Sequence, residues 1–290
     1  MARPPYKKDS QDSRKSPLPG AAATWRLIIG GESDGATNMA VDQAILESVR
    51  QGASPPTLRF YAWSPPCLSL GRSQSLTDVD FAACRSLGAE IVRRPTGGRG
   101  ILHTDELTYS VSLLQSDPLA AGGVMESYRH LSQGLLAGLR RLGVRAVQAL
   151  GQDKPAAERT AVCFETPSDY EITVDGRKLV GSAQWRARGA VLQHGTLPLC
   201  GDITRIVDLL ALSPMEKDAQ RQALLSRATT LEQSLGRTVP FAQLAQVLAE
   251  GFSRALQVSL VSGALSVQER ALAGELRLTR YADLDWNART

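Results

Sequence analysis

Cys163 and Lys178 are the residues of this chain whose types and spacing point most directly to chemistry. The cysteine stands in a loop-like stretch ahead of a strand, and the lysine follows 15 positions later, just past an Asp175-Gly176 turn. A thiol is a good nucleophile only as its thiolate, and a neighbouring ammonium is one of the few groups that makes thiolate common at neutral pH. If the two side chains meet, they form the core of a nucleophilic acyl-transfer site. Each has a plainer reading by itself. A free cysteine is among the most buried residue types and acts as a small hydrophobe. A lysine beside a hairpin is ordinarily a solvated charge.

The elements that would position this pair are legible in the hydrophobic pattern. Residues 25–29 read as a short first strand. Asn38 is placed to cap a helix over 39–50, with Val41, Ile45 and Val49 on one face. Leu58, Phe60 and Ala62 alternate with Arg59, Tyr61 and Trp63, as in a half-buried strand that Pro65-Pro66 ends. Extended structure resumes over 67–70. Asp78 is read as the cap of a short helix over 79–87 closed by Gly88, and 90–94 as another strand. Gly97-Gly98 then permits backbone shapes closed to other residues and lets a ligand approach the main chain. Leu107, Tyr109, Val111 and Leu113 alternate with Thr108, Ser110 and Ser112, predicting a strand with one buried face. Because a strand follows the glycines and no G-K-[ST] is present, the segment is neither a P-loop nor a dinucleotide fingerprint. An ordinary glycine hairpin with surface arginines is the plain alternative.

Tyr128, Leu131, Leu135, Leu139 and Leu142 predict an amphipathic helix ending at Gly143. Residues 151–160 read as a polar loop. Tyr170, Ile172 and Val174 begin a hairpin with a type I′ turn at Asp175-Gly176. In the simplest register Leu179 returns opposite Ile172, while Lys178 stands opposite Thr173 on the other face. Residues 191–199 form a further strand. The pattern beyond Arg205 is helical: Phe241, Leu244 and Leu248 share a face, and Ser266 with Glu269 fits a capping box. Tyr281 and Trp286 near the end are expected to pack back onto the body. No internal repeat is evident, and the fold class is α+β, mixed sheets flanked by helices.

Composition narrows the function classes. The chain has 290 residues, 43 % hydrophobic and 21 % charged, which suits a globular protein with a sizeable core. Its net charge of +4 is concentrated at the start, where Arg3, Lys7, Lys8, Arg14 and Lys15 face only Asp9 and Asp12. Nucleic-acid binding is therefore disfavoured, since the folded part is nearly neutral. Residues 1–23 are expected to be a disordered basic tail without the apolar core of a secretory signal. No apolar run reaches the roughly 18 residues that a membrane span needs. Cys67, Cys84, Cys163 and Cys200 show no C-x-x-C pair, and with His103, His130 and His194 equally scattered no metal site is expected. Reduced thiols in a cytoplasmic protein fit this usage.

Five ordered blocks carry a family resemblance: NMAVDQAILE, LRFYAWSPPCLSLGRSQ, RRPTGGRGILHTDELTYSV, DGRKLVGSAQ and LQHGTL. Together they resemble the lipoate branch of the biotin/lipoate protein ligase superfamily. AVCFETPSDYEI resembles the cysteine loop of its LipM-type octanoyltransferases. The resemblance implies a catalytic domain over 24–262, with a C-terminal helix and segment, 263–290, packed on it. It implies transfer of octanoyl from acyl carrier protein to a lysine of a lipoyl domain, notably the glycine cleavage H protein. Cys163 would carry the acyl group as a thioester and Lys178 would tune it. Arg93, Arg94, Thr96, Gly97, Gly98 and His103 would border the acyl channel, with Gly181, Ser182, His194 and Gly195 lining the same cleft. No cofactor is implied beyond the carrier's phosphopantetheine, and no metal. One departure is visible: family members commonly have Asp directly after the loop histidine, where this chain has Thr104 and then Asp105.

Three rivals stand beside this expectation: an ATP-dependent lipoate–protein ligase, an amidotransferase moving octanoyl between lipoyl domains, and a non-catalytic acyl-binding module. Lys178 does not separate the first from a transferase, but Cys163 does, because adenylate chemistry needs no protein thiol. His103 and His194 are candidate bases for the incoming amine, each with a structural role as the plain alternative. Arg99, Arg186 and Arg188 are candidates for meeting an acidic carrier surface.

Overall fold

Residues 22–149 and 171–289 are described by a computed structural model. Strand β1 (Ala23–Ser33) leads into α1 (Gly35–Arg50), followed by β2 (Thr57–Trp63) and β3 (Cys67–Leu70). The short α2 (Phe81–Leu87) precedes β4 (Glu90–Arg93), β5 (Ile101–His103) and β6 (Glu106–Leu114). After α3 (Val124–Arg141) come β7 (Val147–Gln148), β8 (Ile172–Val174), β9 (Arg177–Ala187) and β10 (Ala190–Pro198). The remainder holds α4 (Pro214–Arg227), α5 (Leu231–Leu235), α6 (Phe241–Leu256), β11 (Val258–Ser262), α7 (Val267–Leu276) and α8 (Leu284–Ala288).

Eight strands form one mixed sheet in the order β11-β1-β2-β6-β10-β9-β8-β7, and β4-β3-β5 form a second. This is the α+β architecture expected. On one face of the large sheet Phe60, Tyr109, Val111 and Val191 pack against Leu131, Leu135 and Leu139 of α3 and Leu244, Leu248 and Phe252 of α6. The apolar stripe of α3 is thus core, as its spacing predicted. Helix α1 covers the opposite face. Strands β2 and β6 are therefore buried on both faces rather than half-exposed, and Arg59 is only 5 % exposed. Alternation along these strands separates apolar from polar neighbours, not core from water.

Three local expectations shift. Helix α1 begins earlier and is capped by Asp34, whose carboxylate accepts from Thr37 N at 2.7 Å. Asn38 lies inside the helix and donates to Ser33 O and Ala62 O, tying α1 to the strands it covers. Asp80, not Asp78, caps α2, although Gly88 closes it as expected. Finally, β11 interrupts the helical C-terminal part: its apolar stretch completes the sheet edge beside β1 instead of extending α6. The Ser266–Glu269 capping box is present, and Tyr281 is buried against α1, its hydroxyl donating to Gln43 Oε1 at 2.6 Å.

The β8–β9 hairpin decides which way Lys178 faces. Thr173 pairs with Lys178 as expected, but Ile172 pairs with Val180, so Leu179 is an extra residue at an irregularity. Paired residues share a face, and successive residues alternate. Lys178 therefore lies on the face of Thr173, opposite to Val180. Gly181, next to Val180, is turned back to the face of Lys178 and pairs with Thr196, while Ala183 pairs with His194. One inserted residue thus puts Lys178 and Gly181 on the same face of the sheet as Thr196 and His194.

Candidate active site

The loop after β4 is held from within. Arg93, 1 % exposed, donates from Nη1 to Gly71 O at 2.8 Å and to Gln74 O at 2.7 Å. Its Nε and Nη2 reach Asn287 O at 3.0 and 2.9 Å, its backbone N–H donates to Asn287 Oδ1, and Trp286 Nε1 donates to its carbonyl. The end of the chain is thereby fastened to the edge of β4. Arg94 donates to Ser69 O, Gly97 O and Arg99 O at 2.7–3.0 Å, curling the glycine turn around its own guanidinium. Gly98, at φ +98°, presses so closely on β3 that a Cβ on Gly71 would lie 1.9 Å from Gly98 O. Both arginines organise this loop.

Hydrogen bonding fixes the orientation of His103. Ser69 Oγ accepts from Arg94 Nη1 at 3.2 Å and so donates its hydrogen to His103 Nε2 at 2.7 Å. Nδ1–H is then the donor to Glu106 Oε1, also 2.7 Å away. The ring stacks on Trp63 at 3.9 Å, and Trp63 Nε1 donates to Thr108, which itself donates to Glu106. With both nitrogens occupied and 5 % exposure, His103 is a spacer between Arg94 and Glu106.

His194 sits across from this group, its Nε2 2.7 Å from Thr96 Oγ1 and its Nδ1 3.6 Å from Asp42 Oδ2. Asp42 also accepts from Arg59 at 2.7 Å, Tyr61 at 2.8 Å and Ser110 at 2.8 Å. Burial pushes the Asp42 carboxyl up, but Arg59 and His194 outweigh it and hold it below the usual carboxylate range. For His194 burial dominates and lowers the imidazole below its usual value, with Asp42 opposing and Arg94 and His103 assisting. The ring is therefore neutral at neutral pH.

On the other face, Gln193 donates to Tyr109 OH at 2.9 Å and Tyr109 donates to Ser182 Oγ at 2.7 Å. Burial is the main cause that pushes the Tyr109 phenol up to about 12, so it stays a donor. Gly195 is wedged here: a Cβ would meet Gly181 O and Ser182 Oγ, each at 2.5 Å. Gly181, Ser182, His194 and Gly195 are thus brought together, split between the two faces of β9 and β10.

Lys178 is not the solvated charge of the plain reading. It is 1 % exposed and ion-paired with Glu171, which is 2 % exposed. Cys163 lies outside the described residues. The thiols of Cys67, Cys84 and Cys200 are all raised above their usual value, in each case chiefly by burial.

Thr104 and Asp105 lie apart from this buried group, both on Arg205: Nη2 is 2.9 Å from Thr104 Oγ1 and 2.5 Å from Asp105, at a partly exposed surface. The acidic residue displaced by one position makes a surface ion pair. Arg186 is occupied by Ala120 O, Gly122 O, Gly123 O and Ser127 Oγ. Arg188 is exposed at the β9–β10 turn, and Arg99 is half-buried.

The profile of the lipoyl protein ligase A/B catalytic domain matches residues 34–253. The chain belongs to that family. Within it, the chain is 48 % identical over 273 residues to the octanoyltransferase LipM of Moorella thermoacetica, covering 91 % of this chain and 98 % of that protein. Its identity to the octanoyltransferase LipM of Kyrpidia tusciae is 44 % over 272 residues, covering 92 % and 99 %. The fold is that of a bipartite lipoate protein ligase from Thermoplasma acidophilum, with a TM-score of 0.77 at 22 % identity over 92 % of this chain and 96 % of that one. This lipoyl protein ligase-type domain is an acyltransferase. Residues of its polar centre that sequence reasoning missed include Asp42, Arg59, Ser69, Glu106 and Glu171. Asp42 carried a signal, the one charge in the 38–46 stretch NMAVDQAIL.

Proposed function

We propose that this protein transfers an octanoyl group from acyl carrier protein to a lysine of a lipoyl domain, the glycine cleavage H protein being the expected acceptor. Cys163 is the nucleophile and Lys178 the cation that favours its thiolate. The observation that carries this reading is the placement of Lys178, a buried cation paired with Glu171, on the face of β9 and β10 that also carries Gly181 and His194. Names of relatives at 38–48 % identity, each an octanoyltransferase LipM, support the octanoyl group. Suppression of the other three thiols by burial supports Cys163 as the reactive one.

In the first step the Cys163 sulfur attacks the thioester carbonyl. The new C–S bond forms as the old one breaks, and the carrier thiolate leaves and takes a proton. One thioester replaces another, at little free-energy cost. In the second step the acceptor's neutral amine attacks acyl-Cys163. An amide forms, the amine loses one proton and the thiol is regenerated, so the step runs downhill without ATP. No cofactor of the enzyme's own is required. The loop of Thr96, Gly97 and Gly98, with Lys178, Gly181 and His194, would border the acyl chain. Each buried methylene contributes about 0.8 kcal/mol, which separates eight carbons clearly from four and weakly from seven.

Intact-mass measurement after mixing with octanoyl carrier protein tests this. A mass increase of one octanoyl group on the wild type, mapped to Cys163 and absent from Cys163→Ala, is expected. Full transfer by Cys163→Ala refutes the mechanism. Labelling from octanoate and ATP alone indicates an adenylating ligase, and a requirement for acylated H protein as donor indicates an amidotransferase.

A further inference from the structure

Arg186 and Arg188 both stand at the β9–β10 turn, but only Arg186 is spent on the protein itself, bonding Ala120 O, Gly122 O and Gly123 O. Arg188 is exposed and has no hydrogen bond or ion pair among the described residues. Its φ of +50° lies in the left-handed region, where glycine or asparagine is the ordinary choice for such a turn. An arginine held there at a conformational cost points to a use for its charge. Arg280 is a second cation of this kind. Its guanidinium stacks on Trp286 at 3.7 Å, meets no acceptor among the described residues, and keeps a buried Nε without a hydrogen-bond partner. Burial is the main cause that lowers it below its usual value; Tyr281 opposes this, while Arg289 and Arg72 add to it. The neighbouring arginines therefore reinforce its charge instead of neutralising it.

Arg188 and Arg280 line one cavity of about 210 Å³ together with Gln43, Glu47, Arg50 and Trp185. The carboxylate of Glu47 is already engaged, accepting from Arg50 Nε at 2.8 Å and from Gln51 Nε2 at 2.7 Å. Gln43 accepts from Tyr281 through its oxygen, so its remaining group is a donor. The cavity thus offers a partner cations and donors. Trp185 lies two residues beyond Ala183, the partner of His194, and so stands on the same face of β9 about 7 Å along it. Arg188 lies five residues beyond Ala183, roughly 16 Å from it.

We propose that Arg188 and Arg280 form a docking site for the acidic face of the acyl carrier protein. This rests on the acyl-transfer reading given above and names the surface that receives its donor. Charge complementarity selects the occupant, because two guanidinium forks without counterions match paired carboxylates. The distance to His194 suits a substrate delivered on a long phosphopantetheine arm, whose protein docks well away from the acyl group.

The test is the Kd of fluorescently labelled acyl carrier protein, measured by anisotropy with the full chain. Arg188→Glu is expected to weaken binding about tenfold at low salt, and Arg188→Glu with Arg280→Gln further. The deficit is expected to shrink at about 0.3 M salt, where exposed charges are screened. Arg145→Glu, an equal change of charge beside Asp175 at the opposite end of β9, is expected to bind within about twofold of wild type. Arg188→Gly is expected to lose the contact yet melt at or above wild type, since glycine takes a φ of +50° freely. Arg188→Glu alone carries the test if Arg280→Gln does not fold. Wild-type affinity in Arg188→Glu overturns the proposal, as does an equal loss in Arg145→Glu. Apo carrier protein, which lacks the phosphopantetheine, is expected to be as sensitive to Arg188→Glu as the holo form. Sensitivity of the holo form alone assigns the cavity to a phosphate group and overturns the proposal, and so does a loss for the H protein with none for the carrier. An enzyme that transfers no octanoyl from the carrier refutes the acyl-transfer reading itself, whereas transfer with unaltered binding in Arg188→Glu refutes only the docking site.

Discussion

Asp42→Asn isolates the charge at the centre of the buried network while keeping its shape. The carboxylate accepts from Arg59, Tyr61 and Ser110 at 2.7–2.8 Å and lies 3.6 Å from His194. Asparagine offers one acceptor oxygen and an NH₂ group, so a donor must face a donor, and Arg59 at 5 % exposure keeps its charge without a counterion. Breaking a buried pair from one side costs about 3–5 kcal/mol. At 2–4 °C per kcal/mol for a domain of this size, the melting temperature is expected to drop by roughly 6–20 °C. Replacing both partners by apolar residues, Asp42→Leu with Arg59→Met, is expected to recover most of that loss, because no charge is then stranded. The pH dependence has a definite sign. A carboxyl held below its unfolded value contributes stability that is fully present above about pH 4 and fades as pH falls through the lower folded value. The difference between wild type and Asp42→Asn is therefore expected to be full at pH 7 and to shrink in acid. Thermal melts at pH 7 and pH 3 measure both. A melting temperature for Asp42→Asn within 3 °C of wild type at pH 7 would show that Arg59 does not depend on Asp42.

Gly71→Ala is expected to displace the 94–100 loop, since its Cβ would fall 1.9 Å from a main-chain oxygen, with a cost of roughly 1–3 kcal/mol and a loss of transfer activity. Gly97→Ala meets nothing within 4 Å and is expected to melt as wild type, so equal melting of the two variants refutes the packing argument. Lys178→Ala removes the proposed cation beside the nucleophile. Alkylation of Cys163 is expected to slow near neutral pH and to recover at higher pH, and an unchanged profile removes that role.

The sequence alone determined what depends on neighbours a few residues apart. The apolar stripe of α3, the Gly88 closure, the Ser266–Glu269 box and the Asp175-Gly176 turn, with φ values of +48° and +77°, were readable because each is set by contacts within one or two turns of chain. The ordered motifs also pointed to the family. Burial on the second face was not readable, because α1 covers β2 and β6 only after the sheet has assembled. Hence Arg59 resembled a surface charge until Asp42 came to lie 2.7 Å away, and Lys178 did so until Glu171 met it. Asp34 displaced Asn38 as the cap because Asn38 bonds strand carbonyls, one of them 24 residues along the chain. Lys178 faces as its spacing predicted, but the side chains from Val180 onward turned on one extra residue in β9, which brought Gly181 back to the face of Lys178. Alternation in a strand is local, but register is fixed by the partner strand, and an insertion of one reverses every side chain beyond it.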